Sequence, residues 1–356
     1  MDQNIKPKIV CLGAGTGQAT VLNGLKEFNC DLTGIVNVTD NGGSSGVLRR
    51  EMGIPQPGDT RNCLQSVADS QDLMTKIFSY RFEEGFLKGA SLGNLILAAL
   101  TRITGDFGEA VEKANVLLKT EVRVYPVTSK SVDVACELEN GKIVRGEWDI
   151  ILREDRSPIK RIFLTKNVYA HPPCLEAIRR ADLIVIGPGS LYTGIIPHFL
   201  TRGIKQAILK SSHAKTVYIC NMMTQPGQTD GFKVSDHIAQ VSRYLGKIPD
   251  YVIANQNQIS SRILRHYKEF GSVPVELDDM EGTKMIIRSL AQNELGEAVH
   301  LDKRSGKKFR EWSEWTHLLR HDSKKLARIL IDLVNSKFIR EKVKSQKVKV
   351  KTTRKK

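Results

Sequence analysis

Ile9-Val10-Cys11-Leu12-Gly13-Ala14-Gly15-Thr16-Gly17-Gln18 decides the fold. A short apolar run of strand character meets three alternating glycines, and a helical pattern follows through Val21, Leu22 and Leu25. Glycine allows a tight turn and a close backbone approach, and the first turn of the helix offers N–H groups and the positive end of its dipole. Gly13, Gly15, Thr16 and Gly17 are therefore candidates for holding a phosphate. The dinucleotide fingerprint is G-x-G-x-x-G, and here Gln18 holds its third glycine place, so NAD is not expected.

The same alternation of strand and helix continues outward. Lys8 to Leu12, Leu32 to Val38, Leu183 to Ile186, Thr216 to Cys220 and Tyr251 to Ala254 read as strands, each followed by a polar or glycine-rich turn. This pattern predicts an α/β, Rossmann-like fold: a mostly parallel open sheet with helices on both faces and a ligand crevice at the carboxyl ends of the strands. Between about 122 and 164 the runs shorten. Val132 to Leu138 and Lys142 to Val144 flank Asn140-Gly141, which indicates a hairpin with a type I′ turn inside a small β insertion. The expected organisation is an α/β domain over 1–322, a helix over 323–336 capped by Asp322-Ser323, and a basic disordered tail over 337–356.

The chain has 356 residues, enough for a large core, and a formal charge of +15. The stretch 337–356 alone holds ten Lys/Arg and one Glu, so the excess charge is concentrated there. Such a segment solubilises, and it can also adhere to anionic surfaces such as nucleic acid or acidic lipid. The six cysteines are scattered without a C-x-x-C pair. Met1 to Pro7 lacks a signal-peptide core, and no apolar run is long enough to span a bilayer. A cytoplasmic protein without a transmembrane segment is expected.

Further along the predicted rim, Thr39-Asp40-Asn41-Gly42-Gly43-Ser44-Ser45-Gly46 and Pro57-Gly58-Asp59-Thr60-Arg61 bring small backbone donors, two carboxylates and a guanidinium. Asp40 and Asp59 are candidate Mg²⁺ ligands, and Arg61 and Arg49 are candidate phosphate forks. The bland alternative is that Asp40 stabilises its own turn and Asp59 caps its own helix. Ser91, Gly93 and Asn94 open another apolar helix, with Ser91 fitting its N-cap. Gly187, Gly189 and Ser190 follow one strand, and Asn221, Thr224 and Gln225 follow the next, where amides suit a base or sugar hydroxyl. His317 and His321 have a helical metal-ligand spacing without a third ligand, and Ser190 is not in a nucleophile elbow, so neither zinc nor serine catalysis is expected.

Taken together and in this order, Gly13-x-Gly15-Thr16-Gly17, Thr39 to Gly46, Pro57-Gly58-Asp59, Ser91-Leu92-Gly93-Asn94-Leu95, Gly187 to Thr193 and Asn221-x-Met223-Thr224-Gln225 resemble the YvcK family, the gluconeogenesis factors within the CofD-like group of 2-phospho-L-lactate transferases. The resemblance implies a cytoplasmic UDP-sugar-binding regulator of cell shape and envelope growth on gluconeogenic carbon sources. UDP-N-acetylglucosamine is the type ligand. Asp40 and Asp59 resemble the metal-binding carboxylates of the transferase branch. Tyr267 and Arg320 look like the family's UDP-sugar contacts. Envelope-synthesis proteins and further copies of the chain are the implied candidate partners. Ala14, Ala90 and Gln228 depart from the family's usual glycine, histidine and glutamate. Ala14 only tightens the first turn, whereas Ala90 and Gln228 weigh against acid–base chemistry and leave a Mg²⁺-dependent transferase, acting on a nucleotide diphosphate donor, as the alternative function.

Overall fold

The computed structural model describes residues 6–256, 259–278, 280–292 and 319–336. In chain order its strands are β1 (Lys8–Gly13), β2 (Asp31–Val36), β3 (Arg123–Pro126), β4 (Val134–Leu138), β5 (Ile143–Arg145), β6 (Ile159–Leu164), β7 (Leu183–Ile186), β8 (Lys215–Ile219), β9 (Tyr251–Asn255), β10 (Lys284–Arg288), β11 (Ala291–Gln292) and β12 (Arg320–His321). Among the described residues, seven of them form one sheet in the order β10-β9-β8-β7-β1-β2-β3. Every pairing in that sheet is parallel. The α/β open sheet is thus as the sequence predicts. Its central strands are continuous apolar runs because both faces are covered: Ile9 to Leu12 in β1 and Leu183 to Ile186 in β7 are at most 2% exposed.

From β1 the chain builds one way through β2 to β3, then returns to the far side of β1 at β7 and continues to β10. The strand order reverses between β1 and β7, which is where a crevice opens at the carboxyl ends. Two sheet members escape sequence reading, and both are edge strands. β3 falls in the stretch read as insertion, yet it pairs with β2, its Pro126 sitting at an edge where a missing N–H is tolerated. β10 pairs with β9.

The expected insertion contains a separate antiparallel sheet, β5-β4-β6. Its hairpin is real, but the turn type is not the expected one. Gly141 has φ +84° whereas Asn140 does not have a positive φ, and Gly141 N–H donates to Leu138 C=O while Leu138 N–H donates to Lys142 C=O. That is a three-residue loop with glycine in the left-handed place; a type I′ turn needs both central residues there. The short helix Glu147–Leu152 leaves this sheet towards the rim.

Gln18 explains the altered glycine pattern. It is fully buried in the helix Gly15–Leu25, and its amide Nε2 donates to the carbonyls of Cys11 in β1 and Ile35 in β2. The amide thus ties the helix to two strands where a glycine would bring it closer. Asp322 caps the helix over 323–336, accepting from the N–H groups of Lys324 and Lys325. His321 lies in β12, paired with Ala291, and not on a helix; His317 and the predicted tail lie outside the described residues. No helix among the described residues is long and apolar enough to cross a membrane.

Candidate functional site

A cavity of about 320 Å³ lies at the strand-order reversal. One end is built from the first turn of the helix Gly15–Leu25, through Gly15, Thr16 and Gly17, facing Gly189 and Ser190 after β7. Gly17 allows this approach: a Cβ there would stand 2.5 Å from the Pro188 carbonyl oxygen. The first-turn amides have no carbonyl four residues earlier in a helix, so this end of the cavity is suited to an anion.

Three carboxylates form a second wall. Asp40, at the end of the loop after β2, is tied by its neighbours: Oδ1 accepts from Gly42 N–H and from Trp148 Nε1, and Oδ2 accepts from Gln56 Nε2. Asp59 does not cap its own helix. Its carboxylate accepts from the backbone N–H of Gly15, and the N-cap place is held by Pro57. Burial, reinforced by the charge of Asp40, pushes the Asp59 carboxyl up to about 7. Burial likewise raises Asp40, and it raises Glu147 well above the carboxylate range, with the charges of Asp40 and Asp59 adding to the effect. Among the described residues no three Asp, Glu, His or Cys side chains converge as a metal cluster. Mg²⁺ needs no such cluster, because one or two carboxylates and phosphate oxygens suffice for it. The oxygen donors Asp40 and Asp59 fit that chemistry.

Glu147 and Trp148 were not legible as site residues. Both lie on the short helix Glu147–Leu152 that connects β5 to β6 of the insertion, and a close approach permits this: a Cβ on Gly42 would lie 1.6 Å from Trp148 Nε1. Thr193 Oγ1 stands 2.8 Å from both Glu147 Oε1 and Ser190 Oγ, and Ser190 donates to Gln228 Oε1. One hydroxyl proton cannot serve two acceptors. A protonated Glu147, which its burial favours, completes an ordered chain from Glu147 through Thr193 and Ser190 to Gln228. Gln228 thus takes part as a neutral acceptor.

The far wall is apolar. Met222, Met223, Tyr267 and Leu319 are buried in one cluster, with Ile263 and Ala291 behind them, and Phe270 joins them at the cavity. Tyr267 lies on the helix Ser261–Glu269, and its hydroxyl accepts from Leu319 N–H, which draws β12 and Arg320 to the rim. Asn221, Thr224, Gln225, Tyr267, Arg320 and His321 all line this side.

Other predicted site residues are placed elsewhere. Gly13 ends β1 beneath the turn, and Gly187 ends the strand side of the next turn; neither lines the cavity. Asn41 Oδ1 accepts from Trp148 N–H and so fastens the insertion, and Gly43 and Ser44 begin the helix Gly43–Met52. Arg61 donates to Asn94 and Gln65, and Asn94 donates to Ser45. Arg49 is buried between the carbonyls of Thr39 and Asp40 and the carboxylate of Asp133. Ser91 is an N-cap without a cap hydrogen bond, and Gly93 packs under the Phe78 carbonyl, 2.5 Å from where its Cβ would be. Asn41, Arg49, Arg61, Ser91, Gly93 and Asn94 brace the loops from behind and do not line the cavity.

Comparison with known proteins agrees with this architecture. The family model described as 2-phospho-L-lactate transferase CofD matches residues 9–295. A Thermotoga maritima protein is 44% identical over 324 residues, covering 91% of this chain and 98% of its own. The gluconeogenesis factor of Bacillus subtilis is 40% identical over 332 residues, 92% of this chain and 98% of its own. A crystal structure of a Bacillus halodurans protein described as a member of the UPF0052 family superposes with a TM-score of 0.81 at 38% identity, covering 92% of this chain and 99% of that one.

Proposed function

The chain belongs to the CofD family, in its gluconeogenesis-factor branch, and on that premise we propose that it binds a UDP-sugar of the UDP-N-acetylglucosamine type and acts as a cytoplasmic regulator of cell morphogenesis and envelope growth under gluconeogenic conditions. The observation that carries this reading is the polarity of one cavity: helix-start amides at Gly15 to Gly17, and an apolar wall with Tyr267 and Arg320 opposite. The amides and the Arg320 guanidinium suit a diphosphate, and the aromatic wall suits a planar ring. Binding without turnover fits Gln228, whose amide accepts a hydroxyl where a glutamate would carry a transferable proton. Envelope-synthesis proteins are the proposed recipients of the signal.

A second reading rests on Asp40, Asp59 and Glu147. Mg²⁺ held by Asp40 and Asp59 would offset their charge and supply a Lewis acid to a nucleotide diphosphate. On that reading the chain is a transferase of phosphorus-containing groups. Calorimetry with UDP-N-acetylglucosamine, followed by chromatography of the nucleotide after long incubation with Mg²⁺ and candidate acceptors, separates the two. Binding with unchanged nucleotide supports the regulator. A phosphorylated acceptor replaces it with the transferase, and no binding overturns both.

A further inference from the structure

The carboxylate of Asp40 is held from more than one side. Its Oδ1 accepts from two donors, the Gly42 N–H at 2.8 Å and the Trp148 indole Nε1–H at 2.8 Å, while its Oδ2 accepts from Gln56 Nε2 at 2.6 Å. A carboxylate oxygen has two lone-pair places. Oδ1 is thereby filled, and a cation can reach Asp40 only through Oδ2, where the Gln56 amide takes one place of two. Asp40 itself is half-buried and lines the cavity, and so does Trp148.

These donors are built into the fold. Trp148 N–H donates to Asn41 Oδ1 at 3.1 Å, and Gly42 lies so close that a Cβ there would stand 1.6 Å from the indole nitrogen. The ring is therefore pinned by its own backbone and by the turn that carries Asp40. Gln56 is equally fixed: it is 2% exposed, and its Oε1 accepts from the Asp59 N–H at 3.3 Å, so one amide spans the two segments that carry the carboxylates.

The number of oxygens that Asp40 can present decides which cation fits. Ca²⁺ takes about six to eight oxygens in a flexible shell and commonly uses both oxygens of one carboxylate, whereas Mg²⁺ is smaller, strictly octahedral, and keeps to one or two carboxylates with phosphate or water for the rest. We propose that Trp148 is a specificity-determining residue of the cation site: its indole N–H closes Oδ1 of Asp40, so that a single oxygen of this carboxylate is available and a small octahedral ion such as Mg²⁺ is selected over Ca²⁺. This rests on the metal reading of Asp40 and Asp59 and makes it specific. Gln56 has a different task, for its donor sits on the oxygen left to the cation and orients the carboxylate without closing it.

The test is calorimetry of the full-length protein with MgCl₂ and with CaCl₂, repeated for Trp148→Phe and Gln56→Met. Phenylalanine keeps an aromatic ring at the packed position and removes the donor. The expected result is a preference for Mg²⁺ in the unmodified protein and a fall of about tenfold in the Mg²⁺-to-Ca²⁺ affinity ratio in Trp148→Phe, carried by tighter Ca²⁺ binding. Gln56→Met leaves Oδ1 closed, so both cations should change by the same factor and the ratio should stay. A preference for Ca²⁺ in the unmodified protein, or an unchanged ratio in Trp148→Phe, overturns the role of Trp148 and leaves the cation site standing. Absence of binding of both cations by the unmodified protein overturns the metal reading and the proposal with it. One measurement needs no substitution: on adding MgCl₂ the indole N–H resonance of Trp148 should keep its protection from hydrogen exchange. Rapid exchange would show the cation taking Oδ1, which overturns the proposal even if Trp148→Phe does not fold.

Discussion

The carboxylate of Asp59 accepts a hydrogen bond from the backbone N–H of Gly15, placing a negative charge against the very turn suited to a phosphate. The two elements concerned, the helix Gly58–Val67 and the helix Gly15–Leu25, are packed together along their lengths. An anion arriving at this turn meets repulsion unless the charge is offset. Asp59→Asn keeps the acceptor for Gly15 and removes the charge. Calorimetry in chelator should show UDP-sugar affinity rising about fivefold, with little further gain on adding Mg²⁺. Unchanged affinity and an undiminished magnesium effect would exclude Asp59 from the ion's shell.

Arg320 sits on the rim beside the ring-binding wall. If it meets the diphosphate, Arg320→Ala removes a charge-assisted hydrogen bond worth about 1.5 to 3 kcal/mol, or roughly tenfold to hundredfold in Kd. The loss should be equal with Mg²⁺ and with chelator. An unaltered Kd would place the diphosphate elsewhere.

Gly42 is constrained by the indole of Trp148 and by nothing in its own backbone, for it has φ −93°. Gly42→Ala should therefore destabilise by overpacking, about 1 to 3 kcal/mol in urea unfolding. The same substitution made in a Trp148→Ala background should have a much smaller effect, because the two sites are coupled. Additive effects would show that the crowding is not at the indole.

His198, His237 and His321 are buried, and burial lowers each ring to about 4. An unfolded histidine titrates near 6.5, so between about 6.5 and 4 the unfolded chain binds more protons. Stability is then fully present above about 6.5 and lost as pH falls towards 4. The expected loss is about 2 kcal/mol per ring at pH 5. Urea midpoints at pH 7, 6 and 5 measure it, and His237→Gln should remove its share of the slope. The raised carboxyls of Asp40, Asp59 and Glu147 act in the opposite sense, adding stability as pH falls, so the comparison between the two proteins is the test, and an unchanged slope in His237→Gln would refute the assignment.

The central strands were legible because β1 and β7 are apolar along their whole length and end in glycine turns. β3 and β10 were not, since an edge strand needs less apolar surface and has fewer partners to betray it. At the site, Gly15 to Gly17 carried a local signal, strand then turn then helix. Tyr267 and Arg320 carried none on their own, because their joining depends on the Leu319 N–H reaching a hydroxyl many residues earlier. Arg61 and Asn94 show the opposite failure. Their composition suits ligand binding, yet each satisfies the other. Nothing in the order of residues distinguishes a guanidinium that faces a ligand from one that faces a neighbouring amide.

The wall supplied by Glu147 and Trp148 comes from a helix set between strands of a sheet separate from the one that forms the crevice. The cavity is consequently a composite, closed by an attachment whose strands share no ladder with the scaffold. Descendants of one ancestor can therefore re-equip that wall by altering a single contiguous segment, leaving the parallel sheet and its anion turn as inherited.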